Sequence, residues 1–463
     1  SSFRLASESV TGGQTINFGY DNDDLLTSAG AMTITRDPAT GLVTGTTLSA
    51  ISESRTYDAY GAEQHYTVSA NGSTLYDVDY GTRDALGRIV NKTETIQGTT
   101  HVFAYTYDVN GRLTDVTTDG NATSHYEYDA NGNRLVGSGL TASPVYDNQD
   151  RLLSYGSCTY AYKNDGSLQT KTCPDGTTTY DYDAFGNLRG VVLPNGAIIT
   201  YLIDGQNRRV GKKINGTLVE GFLYGSQIQP VSWLNGDGSI RATFVYNPKV
   251  HVPSYAIKTG NTYRIITDQV GSVRLVVNVS NGAVAERLDY DEFGIIFADT
   301  NPGFLPFGFA GAPRDMDSNL SRMGRRDYDP ALGRWQSKEP LRFQATFNFY
   351  TYADNEPINV VDVTGKNAIP DACASALDEG RRAAEQIALE ILKQMTKCEP
   401  LDQGHLKEVK QYQNRLRNAL RQVMRFCPDT STREISNMQF MVDLNIDKEL
   451  NDLILYDCRC APR

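Results

Sequence analysis

The sequence predicts a mainly β protein, in which small hairpins stack into a spiralling sheet or shell, followed by a small all-α domain at the C-terminal end. Three observations lead there. A unit containing Tyr and Asp recurs along the first part of the chain; Gly at 41 and Tyr at 27, against Phe at 16, favour turns and strands. After Lys366 glycine becomes rare and apolar residues take up helical spacing. A chain of 463 residues can hold two or three domains around a substantial core. The expected division is a repeat body over 1–260, a region ending it over 261–366, and a helical, cysteine-containing domain over 367–463.

The repeat reads aromatic-x-Tyr-Asp-x-x-Gly-x-Leu. It occurs as YTYDVNGRL from Tyr105, YEYDANGNRL from Tyr126, YAYKNDGSL from Tyr160 and YDYDAFGNL from Tyr180, with weaker copies at Gly19, Thr82, Val145 and Tyr201. The second aromatic of each copy falls at Tyr107, Tyr128, Tyr146, Tyr162, Tyr182 and Tyr201, at intervals of 21, 18, 16, 20 and 19. Alternation, as in Phe103, Tyr105 and Tyr107, places the rings on one strand face. The Asp can bond the turn backbone, the Gly can take a positive φ, and the following Leu begins the return strand. One such hairpin cannot bury its aromatic face alone, so neighbours must stack. Residues that recur in every unit read as architecture rather than catalysis. Cys158 and Cys173 bracket one hairpin, with Asn164, Asp165 and Gly166 near its middle; a cross-strand disulfide and two free thiols both fit. Five Asn-x-Ser/Thr triplets, beginning at Asn71, Asn91, Asn121, Asn215 and Asn278, mean little without the host.

A net charge of -11 argues against a nucleic-acid or anionic-membrane partner for the whole chain. No apolar run is long enough to span a membrane, and the opening SSFRLASESV lacks the basic and apolar regions of a signal peptide. No cysteine pair has the C-x2-C spacing and His numbers only 5, so neither a zinc site nor any other cofactor is expected. The 7 cysteines point instead to disulfides, and so to a place outside the reducing cytosol, secreted or on the cell surface.

The ordered repeats, and the segments that follow them, resemble the YD-repeat or RHS-repeat family. The likeness covers roughly residues 15 to 366. It includes YRIITDQVGSVRLVVNVSNGAVAERLDYDEFG from Tyr263, FGFAGAPRDMDSNLSRMGRRDYDPALGRW from Phe307, and NFYTYADNEPINVVDVTGK up to Lys366, which correspond to the family's core-associated region. The resemblance implies a hollow β shell whose end is plugged by that region. It also implies a variable segment after the plug, commonly a toxin carried as cargo and served by delivery or immunity proteins. Bacterial toxins and animal adhesion receptors share the family's barrel.

Many bacterial members cut themselves in aspartyl-protease fashion just after an Asp-Pro-x-Gly-Leu motif. Here Asp362 and Gly365 match the Asp and Gly, while Val363 and Lys366 replace the Pro and Leu. Glu339 stands where the family usually has a second Asp, and Arg334 matches the Arg of a Gly-Arg-Phe/Trp motif. The resemblance thus makes Asp362, Glu339 and Arg334 the candidate catalytic group, with the junction at Gly365 and Lys366. Two close carboxylates can share a proton and activate water. The other reading of Asp362 and Gly365 is a turn that ends the last strand, with Arg334 and Trp335 packing the plug.

Beyond Lys366, three or four helices are expected. Leu406, Val409, Leu416, Leu420 and Val423 mark the second, and Ser431 to Glu434 form a capping box for the third. Cys373, Cys398, Cys427, Cys458 and Cys460 lie near helix ends as disulfide candidates, without a deducible pairing. The second helix is locally basic, which fits phosphate or lipid contact as well as a solvated face. His405 has no nucleophile with a recognisable motif beside it. Three readings of the function follow. In one, the shell carries or presents a toxin-type effector; in the other, an extracellular structural or adhesive protein uses the helical domain as a cap or for self-assembly. A Tyr-rich carbohydrate-binding surface is a third.

Overall fold

The computed structural model describes residues 4–22, 25–137, 143–247, 251–344, 346–366, 369–370, 410, 412–413 and 416. Twelve strands, from Ser7–Glu8 to Asn121–His125, form one antiparallel sheet in strict chain order. A two-stranded piece, Glu127–Tyr128 with Arg134–Val136, comes next, and sixteen strands from Val145–Tyr146 to Ile296–Asp299 form a second sheet, again in chain order. Within each sheet every strand pairs with the next.

The repeat builds the turns as its residue types require. The Asp108 amide donates to the Arg112 carbonyl at 2.9 Å and the Gly111 amide to the Asp108 carbonyl at 3.0 Å. Asp108 Oδ1 accepts the amides of Asn110 and Arg112 at 2.9 and 3.0 Å. Gly111 sits at φ 87°, and a register shift between Thr106 and Tyr107 marks the bulge that this turn produces. Asp150 and Asn207 take the glycine's place in their turns at φ 60° and 63°, as short polar residues can. Where Lys163 replaces the Asp, the backbone turn persists and Asp165 accepts the Ser167 amide instead, at 2.8 Å.

The second Tyr of several units staples the unit to the hairpin before, whereas the Tyr182 hydroxyl is buried without a hydrogen-bond partner. Tyr107 donates its hydroxyl to the Ile89 carbonyl at 2.7 Å, Tyr128 to Leu113 at 2.8 Å and Tyr146 to Arg134 at 2.8 Å. Tyr128 and Tyr146 therefore bridge the places where the ladder is interrupted. Arg88 and Arg112, from the preceding turns, lie 4.3 and 4.8 Å from the ring centres of Tyr107 and Tyr128. Tyr201 departs from the spacing read in the sequence. Ile203, next to the Asp204 turn, holds the second position, and Tyr201 takes the buried first position that Tyr180 holds one unit earlier. Cys158 and Cys173 are joined as a cross-strand disulfide in their hairpin.

The meander curves back on itself. Met32, Tyr66, Val68, Tyr76 and Val78 of the first sheet share one core with Tyr255, Ile266, Leu275, Val277 and Phe293 of the last strands. The Ala50 amide donates to the Val279 carbonyl at 3.2 Å, and the Tyr255 hydroxyl to the Ala29 carbonyl at 3.1 Å. The boundary drawn at 260/261 falls inside a hairpin, since Tyr255–Lys258 pairs with Asn261–Thr267 around it. The break in architecture comes after Asp299, where Ser321–Met323, Arg326–Asp329 and Arg334–Trp335 form a separate three-stranded sheet. Past Lys366 the chain returns antiparallel, Ile369 opposite Val361. Of the expected second helix, the described residues 410, 412, 413 and 416 are helical, with Tyr412, Gln413 and Leu416 buried. The other proposed helices, His405, the capping box and Cys373, Cys398, Cys427, Cys458 and Cys460 lie outside the described residues.

Candidate functional site

The segment after Asp299 closes the end of the sheet at which the Asp turns lie, and it does so turn by turn. Asn355 Nδ2 donates to the Gly132 carbonyl at 2.9 Å, Arg334 to Asp150 at 2.6 Å, and the Tyr350 hydroxyl to Gly166 at 2.7 Å. Arg322 donates to Asn187 Oδ1 at 2.9 Å, and Asn359 Oδ1 accepts the Ile89 amide at 2.9 Å. Its own core is aromatic: Phe309, Tyr328, Trp335 and Tyr352 are buried against Val270 and Val361. It is a plug.

Within the plug, one guanidinium gathers two carboxylates. Arg326 Nη2 lies 2.5 Å from Glu339 Oε2 and 2.8 Å from Asp362 Oδ2. The same arginine donates from Nε to the Gly365 carbonyl at 2.8 Å and rests 3.9 Å from the Trp335 ring centre. Arg326, Glu339 and Asp362 are 3%, 2% and 1% exposed, so the group lies away from bulk solvent. Burial pushes the Glu339 carboxyl up to about 7; Arg326 pulls it down and Asp362 adds to the rise. Burial also lowers the Arg326 guanidinium, against the pull of the two carboxylates. With one proton on Glu339 the three groups are electrically neutral together.

The junction is built onto this group. Asp362 Oδ1 accepts the Lys366 amide at 3.0 Å and the Thr364 hydroxyl at 3.2 Å, so residues 362–366 form a closed turn. Gly365 is at φ 64°, and a Cβ there would lie 2.4 Å from the Met323 carbonyl oxygen. No other residue fits that position without moving the neighbouring strand.

Asp362, Glu339, Gly365 and Lys366 are therefore brought together, as their positions in the sequence suggested. Arg334 is not with them: besides its bond to Asp150, it lies over the rings of Tyr146 and Tyr350 at 4.9 and 5.3 Å. The arginine of the group is Arg326, which sequence reasoning passed over. The available signal was electrostatic, because two buried carboxylates need a cation and RRDYD is the nearest basic strand. Among the described residues, no group of three or more His, Cys, Asp or Glu side chains could hold a metal ion.

The repeat turns, the tyrosine staples and the plug match a known architecture, since a family model described as Teneurin YD-shell covers residues 2–358. The chain belongs to that family. Teneurin-4 of Mus musculus is 28% identical over 333 residues, which are 68% of this YD shell's chain and 12% of the relative. The tRNA3(Ser)-specific nuclease WapA of Bacillus spizizenii is 26% identical over 255 residues, 52% of this chain and 11% of that protein. The chain thus spans about a tenth of the length of these curated relatives. Among solved structures, the Photorhabdus luminescens Tc holotoxin pore is similar at a TM-score of 0.40 and 14% identity, over 72% of this chain and 21% of that one.

Proposed function

We propose that this YD shell is secreted or surface-borne, and that its plug cuts the chain after Lys366 to free residues 367–463 as an effector. The observation that carries the reading is the sharing of Arg326 by Glu339 and Asp362 beside the Lys366 turn. In the proposed hydrolysis, ionised Asp362 takes a proton from water as its oxygen attacks the peptide carbonyl. Glu339, which holds a proton near neutral pH, gives it to the departing amine. Water is added across the bond and the carboxyls exchange protonation states. The Cys158–Cys173 disulfide supports an extracytoplasmic place. Likeness to the nuclease WapA is compatible with an effector cargo, with immunity and delivery proteins as its partners.

The test is the mass of the purified full chain under denaturing conditions. A separate fragment made of residues 367–463 is expected from the wild type, and an intact chain from Asp362→Asn and from Glu339→Gln. An intact wild type, or equal cutting in all three proteins, would sink the proposal. The second reading, a structural or adhesive shell, draws on the same geometry: Arg326 pairs with both carboxyl groups and the turn is closed. An uncut wild type favours it.

A further inference from the structure

A small open cleft lies between the sheet and the plug, and the charge of its lining is one-sided. Arg208, Arg209, Arg322 and His251 line it, with Tyr224 on one wall and Val363, next to Asp362, on another; no Asp or Glu is among the lining residues. Its floor holds two guanidiniums on one carboxylate. Arg209 donates to Asp327 Oδ1 at 2.7 Å and Arg322 to Oδ2 at 2.8 Å, with all three side chains at most 9% exposed. The Nε of each arginine is buried and without a hydrogen-bond partner. Asp315, the next carboxylate near Arg209, accepts from Lys212 at 2.7 Å and from the Tyr201 hydroxyl at 2.6 Å, and Lys212 also pairs with Asp317. Arg208 is already matched by Asp204. The floor therefore holds two buried Nε–H donors that the protein gives no acceptor, which is costly in a desolvated place. The mouth differs: Gln227 is exposed and Arg208 half-buried.

We propose that this cavity binds a small oxyanion, a phosphate or carboxylate group, which completes the Arg209–Asp327–Arg322 cluster and holds the plug to the sheet. Guanidinium forks suit planar or tetrahedral oxyanions better than halide. Asp327 and Arg322 belong to the plug and Arg209 to the sheet, so a bound anion acts across the seam between them.

The test titrates inorganic phosphate, and separately citrate, into the full chain by calorimetry, with sodium chloride at matched ionic strength as the control. Saturable binding of either anion, absent with chloride, is expected, together with a rise in thermal midpoint. The phosphate and citrate arms show which group the cavity prefers. Arg322→Lys removes one fork, and Arg208→Gln alters only the mouth; each is expected to weaken binding about tenfold. Arg208→Gln keeps the test informative should the buried variant misfold. No binding beyond chloride, or binding that Arg208→Gln leaves unchanged, overturns the assignment.

Discussion

Glu53 and Glu339 are both buried glutamates paired with arginine, yet their carboxyls are driven in opposite directions. Glu53 lies between the two faces of the shell, paired with Arg264, and accepts the Tyr66 and Thr46 hydroxyls at 2.7 and 2.8 Å. Burial opposes its charge, but Arg264, Arg55 and these hydrogen bonds prevail and bring it down to about 2. Glu94, with Arg274, Lys92 and the Tyr76 hydroxyl, is likewise brought down to about 2. Glu339 has only a share of Arg326 and the Leu341 amide, and burial carries it up to about 7. A carboxylate whose oxygens are fully partnered acts as a fixed strut. Glu339, which has a single cation to divide with a second carboxylate and no hydroxyl donor, keeps a proton to exchange.

The most damaging way to challenge the strut is to remove its cation. Arg264→Met should cost about 3–5 kcal/mol, because it strands the Glu53 charge in the core. Adding Glu53→Gln to that variant should recover most of the loss, as read by chemical denaturation of all three proteins; no recovery would show that Arg264 acts through packing alone.

Acid probes the same comparison with a somewhat smaller effect. A lowered carboxyl pKa contributes stability that is present above its unfolded value near 4.5 and is lost as pH falls through the folded value near 2. At about 1.4 kcal/mol per unit, each of Glu53 and Glu94 should forfeit roughly 3 kcal/mol across that window. Thermal midpoints measured from pH 5 to 2 should fall steeply for the wild type and less for Glu53→Gln.

The hairpins were legible in the sequence because everything that makes them is local. Asp108, Gly111 and Arg112 lie within one turn, and the strand alternation around Tyr105 spans a few residues. The struts were not legible, because Glu53 meets Arg264 at a separation of 211 residues and nothing near either announces the other. The plug was intermediate. Its junction residues stood out through their motif, but all of Arg326–Asp329 is buried, so no alternation showed which way Arg326 faced. Tyr201 was misplaced in the repeat because an Ile holds the staple position in that unit, and spacing alone cannot tell one aromatic role from the other.

The staples should respond more gently than the struts. Tyr128→Phe removes the hydroxyl that bonds Leu113 and should cost about 1 kcal/mol, since the ring and its packing remain. An equal loss from a tyrosine outside the stapling position would show that the hydroxyl bond is not what joins the units.

At pH 5, Glu339→Gln should have the smallest effect on stability, and at neutral pH the largest on chemistry. At pH 5 the wild-type Glu339 is already protonated, so an amide of the same shape changes little and the denaturation midpoint should move less than in Tyr128→Phe. Above that the two proteins should diverge. A carboxyl raised in the folded state loses relative stability as pH climbs from about 4.5, where the unfolded chain ionises, to about 7, where the folded one does. The wild type should therefore lose stability through that interval by a term that Glu339→Gln lacks. If the two curves run parallel from pH 5 to 8, Glu339 is ionised throughout, a strut like Glu53, and its part as the proton donor in cleavage falls with that result.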